Sequence, residues 1–263
     1  MVAMACLWMG LIGSGTQEGI AQEVPPHLLF GRDDRVQVDA ARAPWRAIGR
    51  LEFDGGHCTG VLMSERVVLT SAHCFFRHPT ANTSLRDRPI AFRAGYQNGS
   101  DVGRADIVTY WVPPGYEPII HEQTLAEEGL DYGFVLLDRP LGRKAGAFGV
   151  HEVTPAELIR ARAERWRVIS QAGYSGDQDF HLTAHEDCEI TDFTAFGVIY
   201  HRCDIVKGDS GSPMFVVDES GIPQVIGIVS AYLDRRPPMN LAVDSRSFAH
   251  DLARFIARYD PQG

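Results

Sequence analysis

The 263-residue chain lacks an apolar run long enough to cross a bilayer as a helix. Its longest, Val2 to Ile12, is about half the required length. The chain is also short of basic charge. It has 25 Lys and Arg against 34 Asp and Glu, a formal net charge of -9. Binding to phosphate backbones needs a basic patch, so composition argues against a nucleic-acid partner. The same acidity gives no reason to expect adhesion to an anionic membrane. The charge reads instead as a solubility feature. No internal repeat is evident, and no stretch has a collagen-like composition. What remains, 44% hydrophobic residues, suffices for one large all-β domain or two small ones.

The Val2–Ile12 run has the length of the apolar part of a secretory signal, although no Lys or Arg precedes it. Gly19-Ile20-Ala21 offers a small-x-small cleavage site. Residues 1–21 are therefore expected to be a signal peptide, with the mature chain starting near Gln22. A buried N-terminal strand or helix is the competing reading. Secretion or a periplasmic location is the expected destination.

Cysteine is scarce. Cys6 lies in the expected signal and leaves Cys58, Cys74, Cys188 and Cys203. Four cysteines in an exported chain read as two disulfides. Three pairings are possible, and proximity favours Cys58–Cys74 and Cys188–Cys203. Each closes a loop of about 16 residues, worth about 3 kcal/mol. A zinc site is the alternative, since His185, Cys188, His201 and Cys203 lie close in sequence. Their spacing matches no usual zinc pattern, and no metal or cofactor is expected.

Residues 22–45 hold Pro25-Pro26 and the charged run Arg32-Asp33-Asp34-Arg35, which suits a surface arm or a propeptide. After Pro44 come short β-rich runs at 47–53, 60–62, 67–71, 90–96, 107–112 and 134–137. Gly- and Pro-containing turns separate them, as in a sandwich or barrel. A helix is expected from Thr154 to about Arg165, with Thr154 and Glu157 forming a capping box and Pro155 in its first turn. Strand-like runs resume at 167–171, 197–201, 212–217, 225–231 and 240–243. A closing helix at about 247–259 puts Phe248, Leu252, Phe255, Ile256 and Tyr259 on one face, reading as core packing.

Two motifs carry chemistry. In Gly208-Asp209-Ser210-Gly211-Ser212-Pro213 a serine sits between glycines. A nucleophilic serine needs a tight turn that exposes its hydroxyl and aims backbone N–H groups at the oxyanion it creates. The N–H groups of Gly208 and Ser210 are the candidates. The second motif is Thr70-Ser71-Ala72-His73-Cys74, after the apolar run Val67-Val68-Leu69. Histidine titrates near neutrality and is the usual general base.

Together, Cys58 to Ser71-Ala72-His73-Cys74 and the downstream Gly208–Pro213 motif resemble the chymotrypsin/trypsin superfamily. The Asp33-Asp34-Arg35 arm, and the lack of an Ile-Val-Gly-Gly start, look more like its bacterial V8-like (glutamyl endopeptidase-like) branch. The resemblance covers roughly residues 32–260. It implies an all-β fold of two packed six-stranded antiparallel barrels with a C-terminal helix. The expected division is 46–150 for the first barrel and 151–263 for the second with its helix. The implied activity is that of a serine endopeptidase, with a third residue orienting the imidazole. Asp131, just before the apolar run 134–137, is the candidate; Asp101 and Asp106 are rivals by position. For substrate binding the resemblance points to Asp204, six residues before the serine, and to Ser230 and Tyr232. Asp204 at a pocket base implies a preference for cutting after Arg or Lys. Glutamyl specificity is disfavoured, because Val229 stands where those relatives have histidine. In trypsin relatives a new N-terminal amine settles beside the acid preceding the serine, here Asp209. Cutting after Arg35 would offer a loose analogue.

A protein or peptide substrate is the expected partner. No nucleic acid or membrane is expected, and the chain is expected to act as a monomer. The alternative function is a catalytically silent homologue acting as a binding module. A lipase or esterase is disfavoured, since Gly208-x-Ser210-x-Ser212 departs from Gly-x-Ser-x-Gly.

Overall fold

The computed structural model describes residues 29–76, 88–116, 128–164, 168–178, 180–233 and 239–262. The expected signal peptide lies outside the described residues. Fifteen strands are formed among those described. Six of them close into a barrel: β2 (Ile48–Phe53), β3 (Gly56–Leu62), β4 (Val67–Thr70), β5 (Ala91–Ala94), β6 (Gly103–Trp111) and β7 (Gly133–Leu137). Every residue of β4 and β7 is buried, as their largely apolar sequences suit.

The remaining strands form one nine-stranded sheet. They are β1 (Val36–Gln37), β8 (Gly149–Val150), β9 (Ser170–Gly173), β10 (Thr183–Glu186), β11 (Ile190–Phe193), β12 (Val198–His201), β13 (Pro213–Val217), β14 (Pro223–Leu233) and β15 (Met239–Asp244). The order is β1-β10-β9-β13-β14-β15-β12-β11, with β8 pairing β14. Among the described residues this path does not close into a second barrel. Besides β8, which pairs parallel to β14, the sheet takes in the arm strand β1, paired antiparallel to β10.

Three α-helices accompany the strands among the described residues: α1 (Gly142–Ala145), α2 (Pro155–Ala163) and α3 (Ser245–Tyr259). The capping box at α2 is formed, with Glu157 N donating to Thr154 Oγ1 and Thr154 N donating to Glu157 Oε2. Helix α3 is capped by Asp244 and buries Phe248, Leu252 and Phe255. Phe255 packs on Phe134 of β7 with ring centres 5.4 Å apart, and Phe248 packs on Tyr132 at 6.1 Å. The last helix of the chain thus braces the strand that follows Asp131. One continuous apolar core runs through both halves, with Phe215 of β13 touching Trp45 and Phe148.

Candidate active site

The antiparallel pair β4 and β7 sets the first two residues. Thr70 lies opposite Gly133, so the end of β4 and the start of β7 share one edge of the barrel. His73 sits in the 3-10 turn Ala72–Phe75 that follows β4, and Asp131 stands two residues before the start of β7. Their side chains meet: His73 Nδ1 is 2.7 Å from Asp131 Oδ2. The His73 backbone N–H also donates to Asp131 Oδ1 at 2.8 Å. Two contacts on two oxygens fix both carboxylate and ring. A disulfide joins Cys74 to Cys58 and ties this turn to β3.

Asp131 is buried, and His73 is about one-third exposed. Burial acts to lower the His73 pKa, but the Asp131 charge and hydrogen bond, aided by the Glu128 charge, hold it above the usual histidine range. Burial likewise opposes the charge on Asp131. The His73 contacts and a hydrogen bond from Ser230 overcome it and keep the carboxyl below its usual range. The rival acids are committed elsewhere: Asp101 to Arg93 Nε at 2.8 Å, and Asp106 to Arg104 at 2.8 Å.

The second half supplies the serine. β13 pairs with β14 with Pro213 opposite Ile228. The ladder extends through Val229 N donating to Ser212 O and Gly211 N donating to Val229 O. Gly211 has φ +81°, and a Cβ there would stand 2.3 Å from Thr59 O and from Thr70 Oγ1. Only glycine lets this loop lie so close to the first barrel. Thr59 N donates to Ser210 O at 2.9 Å, and Thr59 Oγ1 donates to Gly208 O at 3.0 Å. One residue of β3 therefore holds the carbonyls on either side of Asp209. Gly208, at φ +103°, leaves no space for a side chain, since a Cβ would stand 2.5 Å from Tyr174 O.

Between the halves is a cleft of about 480 Å³ lined by His57, His73, Asp131, Gly208, Ser210 and Ser230, among others. The sequence-selected histidine, aspartate and serine are thus brought to one cavity, with Gly208 beside them. The register of β14 shifts between Val229 and Ala231, so Ser230 faces no residue of β15. Its hydroxyl lies 2.5 Å from Asp131 Oδ2 and 3.2 Å from Glu128 Oε2. Tyr232 lines the cleft and is half exposed.

Asp204 does not fit its expected place. Among the described residues it is absent from the cleft lining. Its buried Oδ2 accepts from the Asp34 backbone N–H at 2.8 Å and lies 3.3 Å from His185 Nδ1. The chain arm occupies the carboxylate that was expected to face substrate. The zinc alternative meets a covalent obstacle, because Cys188 and Cys203 form the second disulfide. Burial pushes the nearby His201 down to about 3, and its Nδ1 accepts from Cys203 N.

Three residues of the site escaped the sequence reading. Glu128 offers no signal beyond being an acid three residues before Asp131. Thr59 and His57 flank Cys58 in one strand, and alternation, which puts both on one face opposite Cys58, is the only hint of them. His57 Nε2 is 2.8 Å from Tyr174 O, and its Nδ1 is 3.2 Å from Arg50 Nη2. Arginine only donates and a carbonyl only accepts, so the neutral ring with hydrogen on Nε2 fits both.

The sequence model of the family described as Trypsin matches residues 35–250. The chain belongs to that family. As a member of the trypsin family it also resembles a glutamyl endopeptidase from Bacillus licheniformis. The two are 26% identical over 188 residues, covering 71% of this chain and 54% of that protein. Serine protease 23 from Mus musculus is 26% identical over 174 residues, covering 60% of this chain and 43% of that protein. The chain thus spans about half the length of these curated relatives. A solved structure of a Glu endopeptidase in complex with MPD superimposes with a TM-score of 0.70. It is 21% identical and the match covers 86% of this chain and 98% of that one. The trypsin-like fold is shared.

Proposed function

We propose that the chain is a serine endopeptidase in which Ser210 is the nucleophile, His73 the general base and Asp131 the group that orients it. The observation that carries this reading is the double contact of Asp131 with His73, opening onto a cleft that Ser210 and Gly208 also line. Asp131 accepts the Nδ1 hydrogen, which leaves Nε2 unprotonated and able to take a proton. Ser210 Oγ attacks the scissile carbonyl carbon and gives its proton to His73 Nε2. The carbonyl oxygen becomes an anion held by the N–H groups of Gly208 and Ser210. His73 then protonates the departing amine, and the acyl group stays on Ser210. Water, giving its proton to His73, attacks the ester and releases the acid, and Ser210 recovers its proton.

The cleft gives a reading of preference. Besides the triad its lining includes Ile205, Val206, Val229, Ala231 and Tyr232, with Lys207 the exposed cation. Among the described residues Asp131 is its one carboxylate, and that group is committed to His73. An Arg or Lys side chain entering here would find no free acid. The favoured residue on the N-terminal side of the cut bond is therefore uncharged rather than basic. The name of the bacterial relative refers to glutamyl residues, and Lys207 is the feature of this cleft that would suit an acid. Two disulfides fit folding in an oxidising compartment outside the cytoplasm.

Cleavage of a random peptide library, read by mass spectrometry, tests both statements. The expected result is cutting that Ser210→Ala abolishes, with uncharged side chains enriched before the cut. Cutting that survives Ser210→Ala would remove the reading altogether. Dominant cutting after Arg or Lys would remove the preference alone.

A further inference from the structure

The arm before β1 is built into the nucleophile loop. Arg35 carries a charge yet its side chain is only 2% exposed. Its guanidinium forks onto Asp177, at 3.0 and 2.7 Å, and onto Asp33, at 2.9 and 2.8 Å. Burial opposes its charge, but the two carboxylates hold it protonated more firmly than an ordinary arginine. Four charge-assisted hydrogen bonds on one buried side chain make a rigid joint.

Asp177 belongs to the loop 174–178, which is the template on which the loop 204–209 lies. Gly176 N donates to Lys207 O at 2.6 Å. Ser175 Oγ donates to Asp209 Oδ2 at 2.7 Å, and Val206 N donates to the same oxygen at 2.9 Å. The empty side of Gly208 rests on Tyr174 O and Gly176 N. Asp209 lies between the two residues whose N–H groups would hold the oxyanion. It is buried, and among the described residues its Oδ1 has no hydrogen-bond partner. Burial pushes its carboxyl up to about 6, and the Arg35 charge acts in the opposite direction. At the other end of the same loop, Asp34 N donates to Asp204 Oδ2. The arm is further fixed by β1 on β10 and by Val38 N donating to Leu182 O.

We propose that residues 33–35 brace the oxyanion loop of the uncut chain. Arg35 acts through Asp177 and the Asp34 N–H through Asp204, so the catalytic shape of 204–209 does not depend on a cut after Arg35. A cut there would leave its new amine on Val36, which is 54% exposed and held in β1 at the sheet edge, not beside Asp209. Arg35 is a positioning residue in this account, which rests on the endopeptidase reading above.

The test uses the full chain and kcat per site, with sites counted by the burst of an acylating ester. Arg35→Gln should lower kcat about 10–100-fold with KM changed less than about threefold, as expected for slight misplacement of transition-state donors. Arg35→Lys, which keeps charge but loses the fork, should fall between. Asp177→Asn should match Arg35→Gln, and the double variant should be no worse than the weaker single, because one joint is removed once. The active wild-type species should be intact across Arg35 by mass. A kcat per site within twofold of wild type in Arg35→Gln, even with a lowered melting temperature, would overturn the brace. So would activity appearing only after scission at Arg35. A wild type that shows no burst and no turnover would instead overturn the endopeptidase reading.

Discussion

The Ser230 hydroxyl meets Asp131 on Oδ2, the same carboxylate oxygen that faces His73 Nδ1. Oδ1 is left to the His73 backbone N–H. The buried carboxylate is thereby held from three directions, which allows a charge to persist in a site of low polarity. Ser230→Ala removes one donor and leaves that charge less well satisfied. A hydrogen bond to a buried charge is worth about 1.5–3 kcal/mol. The expected loss in kcat/KM is therefore about 10–100-fold, checked by steady-state kinetics on one peptide. Ser230→Thr, which restores a hydroxyl, should recover part of it.

Asp131→Asn keeps the shape but cannot accept at both oxygens. The amide would turn the imidazole to the wrong tautomer. A loss in kcat of about four orders of magnitude is expected, the size set by the family's own triad. Melting temperature should move little by comparison, and circular dichroism checks that the fold survives.

The pH dependence has a definite sign. In the proposed mechanism His73 must be neutral to accept the serine proton, and its pKa is held above the usual value. Activity should rise with pH through a midpoint above about 6.5 and be lost on the acid side as the ring becomes charged. Glu128 contributes to that elevation through its charge. Glu128→Gln should shift the acid limb of kcat/KM to lower pH, with the plateau reached earlier. An unmoved midpoint would show that the second carboxylate is screened from the ring.

Gly211→Ala probes the contact between the halves. The added methyl would meet Thr59 O and Thr70 Oγ1 at 2.3 Å, on a backbone of φ +81°. Both atoms belong to the first barrel, and neither is the end of a long flexible side chain. Overpacking of this kind costs about 1–3 kcal/mol, and the left-handed backbone adds about 1 kcal/mol more. Thermal unfolding should show a drop of many degrees, together with a fall in activity because Ser210 is the adjoining residue.

Asp204→Asn separates the two roles considered for that residue. With its carboxylate bound to the Asp34 N–H and outside the cleft lining, the substitution should alter kcat/KM for Arg and neutral substrates by the same factor. A selective loss for Arg substrates would place the carboxylate in contact with substrate.

Sequence disclosed the parts of this protein whose physics is local. Strands 67–70 and 133–137 are built on the apolar runs 67–69 and 134–137, and helix 155–163 announces itself by a Thr154–Glu157 capping box. The His73 and Ser210 motifs stood out because a nucleophile turn needs glycines and a base needs a strand end to hold it. Strands 183–186 and 190–193 escaped notice, since Thr183-Ala184-His185-Glu186 and Ile190-Thr191-Asp192-Phe193 mix polar and apolar residues without a clean period. The contact of Ser230 with Asp131 spans 99 residues and depends on a register shift in β14. Nothing in a linear pattern reports such a bulge. Asp204 was misplaced for a related reason: spacing from the serine fixed its position in the loop, but the arm that binds its carboxylate lies 170 residues earlier.

The central claim is that His73 activates the Ser210 hydroxyl, and fluorophosphonate labelling with mass-spectrometric mapping tests it most directly. The account predicts a single adduct on Ser210 in the wild type, and labelling slowed by at least about a thousandfold in His73→Ala. An adduct on any other residue, or His73→Ala labelling at the wild-type rate, would contradict it.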